Sequence, residues 1–252
     1  MTSAAILTAA GSGTRLGRPV PKALVELAGV PLVVRAAQGL AAADCLTSLV
    51  VTVPPAEVGT VTALFAGGLV PGTPLTVQVV AGGPTRQASV AAGLSALAQD
   101  VDVVLVHDAA RCLTPPELVR GVEAAVRGGH RAVVPAVPVT DTVKEVGPAD
   151  TTGAEPVRGT VERTRLRAVQ TPQGFDRLLL EEAHAAGAGR AGDERAAVSD
   201  DAGLVEALGE PVWVVPGDER AMKITTPRDL ALAHVLLGHE AADRPAGHAP
   251  LP

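Results

Sequence analysis

The chain has 252 residues, a length that suits one large α/β domain or two small ones. It is 47% hydrophobic, but its aromatic residues are one Trp and two Phe, which argues against an aromatic platform for single-stranded nucleic acid. The net charge of −6 argues against nucleic acid as well, so local basic residues would have to hold any anionic substrate.

Two cysteines, Cys45 and Cys112, show neither a metal-binding spacing nor a disulfide pattern. The N-terminus lacks the basic region of a signal peptide, and no apolar run approaches the ~20 residues needed to cross a bilayer. We therefore expect a cytoplasmic protein that associates with neither nucleic acid nor membrane.

The first predicted strand, Ala4–Leu7, runs directly into a glycine-rich segment, AAGSGTRLGRPVPKAL, over Ala9–Leu24. Glycines allow backbone N–H groups to approach phosphate oxygens closely. Arg15 and Lys22 supply positive charge where a transferring phosphoryl group would gather negative charge. This pattern predicts a nucleotide site, although a plain turn is the structural alternative.

Two familiar phosphate-binding loops do not match this segment. A Walker A loop needs Gly-Lys-Ser/Thr, whereas Lys22 lies between Pro21 and Ala23. The dinucleotide fingerprint needs a third glycine or alanine where this chain has Leu16. What remains is G-x-G-x-R-x-G followed by P-K, which is similar to the signature of nucleotidyltransferases that join an NTP to a phosphorylated small molecule.

Short apolar runs then alternate with helical stretches rich in Ala and Leu. The further predicted strands are Leu49–Val53, Leu75–Val80, Val101–Val106 and Ala132–Ala136, and the helices are Leu32–Ala43, Ala56–Phe65, Gln87–Ala98 and Pro116–Arg127. This alternation predicts a Rossmann-like α/β fold with a mostly parallel sheet and helices on both faces. In such sheets, ligands bind at the carboxyl ends of the strands.

The segment AGGPTRQASV, residues 81–90, follows one of these strands. Gly82 would permit close approach of a ligand, and Arg86 and Ser89 would either contact a base or cap the next helix. Capping by Thr85 is the structural alternative.

A second segment at the same edge, VHDAAR, ends at Arg111. Asp108 leaves a buried strand, where an acid needs a cation or a metal as its partner. A structural pair between Asp108 and Arg111 is the alternative, and His107 is interpreted as a core histidine without a catalytic role.

The pattern changes after Ala136. Residues Pro135–Val146 and Val157–Val169 alternate apolar and polar positions, and a polar segment, Gly147–Glu155, joins them. This arrangement predicts a protruding hairpin whose exposed edges a partner subunit would cover. Four arginines in this region, Arg158, Arg163, Arg165 and Arg167, would by default form a solvated face.

Helical patterns resume at Arg177–Ala186 and from Asp200, where Ser199 is the predicted N-cap. A late strand is predicted at Pro211–Val215 and a late helix at Asp229–Leu237, with Thr226 as cap and Pro227 at the first position. We expect one domain over residues 1–238, with an arm at about 137–168, and a disordered tail over 239–252.

In chain order, the motifs AAGSGTRLG…PK, GG..RQASV, VHDAAR, VPVTDTVK, TVER, QTPQGF, SDDAG and MKITTPRDL resemble the 2-C-methyl-D-erythritol 4-phosphate cytidylyltransferase family over about residues 4–237. The resemblance implies a nucleotide-diphospho-sugar-transferase-like fold, and the arm corresponds to one through which two subunits interlock. The chain departs from the family at Cys112, where a proline is usual, and at Ser199, often threonine.

The resemblance also implies roles for individual residues. The CTP-binding positions would be Ala9, Ala10, Gly11, Gly13, Gly82, Arg86 and Ser89. The catalytic positions would be Arg15, Lys22, Arg163 and Lys223. The acceptor-binding positions would be Asp108, Arg111, Thr140 and Thr171, with Thr140 and Arg163 serving the neighbouring subunit's site.

The implied reaction joins CTP to methylerythritol phosphate and releases pyrophosphate, with Mg²⁺ as cofactor. The ion would be held mainly by the CTP phosphates, with Asp108 as a candidate ligand. Three alternatives stay open: a cytidylyltransferase for ribitol 5-phosphate, a non-catalytic nucleotide-binding regulator, and a subunit kept for assembly through its hairpin.

Overall fold

The computed structural model describes residues 1–11, 16, 20–192 and 200–243. The strands are β1 (Thr2–Thr8), β2 (Glu26–Leu27), β3 (Val30–Pro31), β4 (Ser48–Val53), β5 (Thr76–Ala81), β6 (Val101–Asp108), β7 (Ala132–Pro138), β8 (Lys144–Val146), β9 (Val157–Thr160), β10 (Arg167–Val169), β11 (Gln173–Asp176) and β12 (Trp213–Pro216). The α-helices are α1 (Leu32–Ala41), α2 (Val58–Leu64), α3 (Arg86–Ala96), α4 (Pro116–Arg127), α5 (Arg177–Gly187), α6 (Asp201–Ala207) and α7 (Pro227–Asp243).

The central sheet has the strand order β10-β7-β11-β6-β1-β4-β5, and β12 pairs with β7. Strands β5, β4, β1 and β6 are parallel neighbours, as are β12 and β7, whereas β10 and β11 run antiparallel to their partners. The sheet is therefore mostly parallel, which confirms the predicted α/β class.

Two hydrophobic cores lie on the two faces of this sheet. Alternate residues of β1 separate into them: Ala5 and Leu7 pack with α1 and α4, whereas Ala4 and Ile6 pack with α3 and α5. A strand buried on both faces is typically apolar at successive positions, which explains the continuous apolar run Ala4–Leu7 within β1. Helices on both faces leave the strand ends as the accessible edges of the sheet.

Strand β11 was not predicted. It is four residues long and contains Gly174, which lowers its strand signal. A Cβ at Gly174 would lie 2.7 Å from Cγ1 of Val122 and 2.9 Å from Cγ2 of Val126, so the close packing of α4 requires a glycine here. The small ribbon of β2 and β3 was also missed, since each strand has only two residues.

Several predicted boundaries shift. The helix predicted at Ala56–Phe65 is a 3₁₀ turn, Pro55–Glu57, followed by α2. The final helix was predicted to end at Leu237, but α7 continues to Asp243, so the first five residues of the predicted disordered tail are helical. The added segment contains Ala and Glu, which favour helix. Residues 244–252 lie outside the described residues.

The arm, residues 137–168, is a hairpin in two paired parts. At its base, β10 pairs with β7, with Arg167 opposite Pro138. Further out, β8 pairs with β9, with Lys144 opposite Thr160. Between the two parts the chain forms a 3₁₀ turn at Arg163–Arg165, so the predicted hairpin is present but its ladder is interrupted.

Candidate active site

A cavity of about 520 Å³ opens at the carboxyl edge of the sheet. It forms where β1, β5 and β6 end, which is the edge at which parallel α/β sheets bind ligands. The predicted site residues that line it are Ala9, Ala10, Gly11, Lys22, Arg86, Ser89, Asp108 and Lys223. Segments far apart in the sequence therefore converge on one site.

The glycine-rich segment forms one wall of the cavity. Ala9 extends the sheet, since its N–H donates to the carbonyl of Thr52 at 2.8 Å. No described atom lies within 4 Å of the position that a Cβ on Gly11 would take, so packing against the described residues does not explain this glycine. That open space is suited to a ligand that approaches the backbone closely. Gly13 and Arg15 lie outside the described residues.

The loop after β5 forms a second wall. Thr85 is the N-cap of α3, because its hydroxyl accepts from the N–H of Ala88, as the capping alternative predicted. Ser89 is fully buried, and its hydroxyl donates to the Thr85 carbonyl at 2.8 Å. Gly82 is not among the lining residues of the cavity, and a Cβ there would come within 2.7 Å of Ser89 Oγ. Gly82 is therefore explained by packing of the loop on α3.

Asp108 ends β6 and is the centre of a cluster of charges. Lys223 Nζ lies 2.8 Å from its Oδ2, Arg86 Nε lies 3.2 Å from its Oδ1, and Arg111 Nε lies 3.9 Å from Oδ2. Burial alone would raise the pKa of this carboxyl, but Arg86 and then Lys223 hold it well below its usual range. The pair of Asp108 with Arg111 is present, but it is the longest of the three contacts.

Arg111 also supports the segment that carries Lys223. Its Nη1 donates to the carbonyl of Ala221 at 2.7 Å, and the N–H of Ile224 donates to the carbonyl of Ala110 at 2.8 Å. These two contacts bracket Lys223 and fix its backbone beside Asp108. Arg111 is not among the lining residues of the cavity.

The start of α7 fixes the same segment from its other side. Thr226 Oγ1 accepts from the N–H of Asp229 at 3.2 Å, while Asp229 accepts from the N–H groups of Thr225 and Thr226 at 2.8 Å. This reciprocal arrangement is a capping box, and it confirms the predicted cap at Thr226. Lys223 is thus carried on a short connection anchored at both ends.

His107 precedes Asp108 but lies in the core. It is 1% exposed, and its Nδ1 lies 2.9 Å from the hydroxyl of Thr171. Burial lowers the pKa of His107 to about 4, so the ring is neutral at pH 7. Thr171 also accepts from the N–H of Asp108 at 3.1 Å, so it orders the end of β6 and is not a lining residue of the cavity.

Arg163 and Thr140 lie together on the arm. Arg163 Nη1 donates to the carbonyl of Thr140, and both side chains are exposed. Neither is a lining residue of the cavity in their own subunit.

Sequence reasoning missed Asp201, which contacts Arg86. The predicted N-cap, Ser199, lies outside the described residues, and Asp200 caps α6 by accepting from the N–H of Gly203 at 3.1 Å. Asp201 is instead 1% exposed, with Arg86 Nη1 2.6 Å from its Oδ2. In the sequence, two adjacent acidic residues at the start of a helix both fit a capping role. Only the folded structure shows that Asp200 caps the helix and that Asp201 pairs with Arg86. Thr8 and Thr225, which also line the cavity, were missed as well.

The chain matches the family described as IspD, 2-C-methyl-D-erythritol 4-phosphate cytidylyltransferase, over residues 3–239. It is 50% identical over 236 residues to the protein of that name from Streptomyces coelicolor, covering 93% of this chain and 84% of the relative. A protein of the same name from Nocardia farcinica is 50% identical over 238 residues, with coverage of 94% and 95%.

Solved structures agree with this match. The 2-C-methyl-D-erythritol 4-phosphate cytidylyltransferase of Thermus thermophilus is 38% identical, with a TM-score of 0.70 and coverage of 94% of this chain and 98% of that one. The 4-diphosphocytidyl-2C-methyl-D-erythritol synthase of Anaerococcus prevotii is 27% identical, with a TM-score of 0.76 and the same coverage. This chain therefore belongs to the 2-C-methyl-D-erythritol 4-phosphate cytidylyltransferase family.

Proposed function

We propose that the cavity at the end of β1, β5 and β6 is where this chain carries out the reaction of its family. That reaction transfers CMP from CTP to 2-C-methyl-D-erythritol 4-phosphate, giving 4-diphosphocytidyl-2-C-methyl-D-erythritol and pyrophosphate in the non-mevalonate isoprenoid pathway. The observation that carries the proposal is the convergence of Lys22 and Lys223 with the glycine-rich segment in one cavity.

The composition of the cavity suits a reaction that needs no general base. The attacking group is a phosphate oxygen, which is mostly ionised at neutral pH because its second pKa is near 6. Among the described lining residues, Asp108 is the one carboxylate and there is no histidine. Asp108 is paired with cations, so it is a poor proton acceptor at neutral pH. The barrier is then the approach of two anions, which fixed positive charges lower.

We assign the charged residues accordingly. Lys22, with Arg15 by the family resemblance, stabilises the charge that develops on the α-phosphate of CTP. Lys223 and the neighbouring subunit's Arg163 would hold the acceptor phosphate in line. The backbone of Ala9, Ala10 and Gly11 would contact the triphosphate, and Arg86 and Ser89, in the first turns of α3, would face the nucleoside. Gly82 would serve the same site by letting the preceding loop pack closely on α3. Asp108, Arg111, Thr140 and Thr171 would shape the acceptor side.

Mg²⁺ fits this cavity as an ion that enters with CTP. In the described part of the chain, no three His, Cys, Asp or Glu side chains form a ligand cluster. Mg²⁺ typically uses substrate phosphates, waters and one or two carboxylates, so the CTP phosphates would hold it, with Asp108 as the candidate protein ligand. When bound, the ion would neutralise part of the phosphate charge.

We further propose a homodimer formed through the arm. Val146 and Val157 face each other across the β8–β9 ladder, and both are exposed, at 42% and 60%. Exposed apolar pairs on a hairpin are suited to burial by a second copy. Arg163 and Thr140 occupy the same arm and do not line the cavity of their own subunit, which supports their contribution to the neighbour's site.

The cytoplasm is the compartment that we propose for this reaction. Cys45 and Cys112 are both free thiols, which is the usual state of cysteines in a reducing compartment. Separately, the helices of the described residues include none that is both long and apolar enough to span a bilayer.

Pyrophosphate release from CTP and Mg²⁺ tests the function, with methylerythritol 4-phosphate and ribitol 5-phosphate compared as acceptors. Release with the first alone is the expected result. Release with the second alone would overturn the acceptor but keep the mechanism. Binding of CTP without release would favour a nucleotide-binding regulator, and dimers that bind no CTP would favour an assembly subunit.

Mixed dimers test the arm. Lys22→Ala and Arg163→Met are expected to be nearly inactive separately, but random mixing should restore about a quarter of wild-type activity, because one site of each mixed dimer then has both residues intact. If mixing restores nothing while exchange of subunits is demonstrated, Arg163 serves its own subunit's site or none.

A further inference from the structure

Asp201 is a buried carboxylate that the roles above do not use. It lies in the first turn of α6 and is 1% exposed. Its Oδ1 lies 3.0 Å from His184 Nε2, and its Oδ2 lies 2.6 Å from Arg86 Nη1. Burial alone would raise the pKa of Asp201, but Arg86 and then His184 lower it below its usual value. A buried charge of this kind is costly unless a partner compensates it, so its place needs an explanation.

Arg86 connects Asp201 to the cavity. Its Nη1 contacts Asp201 at 2.6 Å and its Nε contacts Asp108 at 3.2 Å, so one guanidinium bridges two carboxylates from different elements. The guanidinium is a planar group with donors in a fixed arrangement, so contacts at two of its nitrogens fix its orientation. Arg86 therefore cannot turn further onto Asp108 without losing its contact with Asp201.

Asp108 is also in contact with Lys223. Its Oδ2 lies 2.8 Å from Lys223 Nζ, and Lys223 lines the cavity with a side chain that is 42% exposed. Like charges repel, so a closer approach of the Arg86 guanidinium to Asp108 would raise its repulsion with Lys223 and weaken the net hold of the site on the Lys223 ammonium. Within the described residues, this cluster consists of two carboxylates, Asp108 and Asp201, and three cations, Arg86, Arg111 and Lys223. The cations therefore outnumber the carboxylates by one.

We propose that Asp201 is a positioning residue for the cytidylyl transfer, acting through Arg86 and Asp108 on Lys223. By holding Nη1 of Arg86, it prevents Arg86 from turning fully onto Asp108. Asp108 then retains enough attraction to keep Lys223 at the cavity wall, where the acceptor phosphate would meet it. This inference rests on the role proposed above for Lys223.

Asp201→Asn tests the inference directly, because it removes the charge and keeps the size of the side chain. We expect kcat/KM for the acceptor to fall about tenfold, within the usual range of coupling between contacting residues. The matched control is His184→Gln, which changes the neighbour of Asp201 on the Oδ1 side, away from Arg86. This control should stay within about twofold of wild type. An equal fall in both variants, with equal losses of thermal stability, would overturn the inference in favour of a purely structural role.

A readout without turnover separates positioning from general loosening. An amine-selective reagent should label Lys223 faster in Asp201→Asn than in wild type, measured by peptide mass spectrometry without substrates. Lys144, on the exposed arm, is the internal reference and should label at the same rate in both. An unchanged ratio of Lys223 to Lys144 labelling would contradict the inference.

The same substitution made in an Arg86→Met variant provides a second test if Asp201→Asn alone folds poorly. Arg86→Met removes the intermediary, and the further change Asp201→Asn removes the charge left unpaired, which favours folding. Since Asp201 acts through Arg86, adding Asp201→Asn to Arg86→Met should leave kcat/KM unchanged within about twofold. A further large fall would overturn the inference. An inactive wild type would instead refute the proposed function, while the labelling ratio would still test the charge arrangement.

Discussion

The cavity and the arm use the same kinds of residue in opposite ways. In the cavity, Asp108 is 6% exposed and three cations from separate segments surround it. On the arm, Lys144 donates to Thr160 and Arg163 donates to Thr140, and these side chains are exposed. The cavity therefore fixes its charges within one chain, whereas the charges of the arm stay available to a partner.

The charges of the cavity and those of the arm differ in their dielectric environment as well as in their geometry. A buried pair is weakly screened, so removing one partner leaves an uncompensated charge. An exposed pair exchanges its contacts with water at little cost. Substitutions in the two regions should therefore differ in effect even when the residues are chemically alike.

The largest effect is expected from Lys22→Ala. Loss of one electrostatic stabiliser of the transition state costs on the order of 3–4 kcal/mol, so kcat should fall about 10²-fold or more. Steady-state pyrophosphate release measures this fall, and circular dichroism checks that the fold is retained. Lys144→Ala on the arm is the matched lysine control. Near-normal turnover of Lys22→Ala would remove Lys22 from the mechanism.

Asp108→Asn should cost about 3 kcal/mol of the free energy of unfolding, because it leaves Arg86 and Lys223 without their shared anion. Urea unfolding at pH 7 measures the loss. A change below about 0.5 kcal/mol would mean that water already screens the cluster as it screens an exposed pair.

Lowering the pH should destabilise the core beneath the cavity through His107. Its pKa is about 4 in the folded protein and 6.5 as the ordinary value, so in that window the unfolded chain binds a proton that the folded chain does not. Stability is then lost as the pH falls, by about 2 kcal/mol between pH 7 and pH 5. Asp108 and Asp201 have depressed pKa values and contribute only below their ordinary pKa of 3.8.

Urea unfolding of wild type and His107→Gln at several pH values checks this expectation. The variant should lose most of the pH dependence between pH 7 and pH 5. If both proteins respond to pH in parallel, another group carries the dependence.

The smallest effect is expected from Lys144→Ala. Its ammonium donates to Thr160 at 2.6 Å, but the pair is exposed, so the free energy of unfolding should change by less than about 0.5 kcal/mol. The same urea titration measures it. A loss comparable to that of Asp108→Asn would show that the arm is buried in the dimer and behaves as a core.

Some elements could be predicted because their signal is local. The apolar run of β1, the helix beginning at Pro116 and the cap at Thr226 depend on residues adjacent in the chain. By contrast, β11 depends on the fit of Gly174 against α4. The residues next to Gly174 in the sequence give no signal of that contact. Local propensity therefore finds long periodic elements and misses short ones that packing stabilises.

The same division holds for the site. The sequence by itself determined the α/β class, the glycine-rich segment and the residues that resemble one family, because each depends on residues that are adjacent in the chain. Only the tertiary structure decided that Asp201 meets Arg86 across 115 positions, that Asp108 gathers three cations, and that Arg163 stays outside its own cavity. The physical reason is that buried charges are compensated by whatever lies nearest in space, and distance in space is set by the packing of the whole chain.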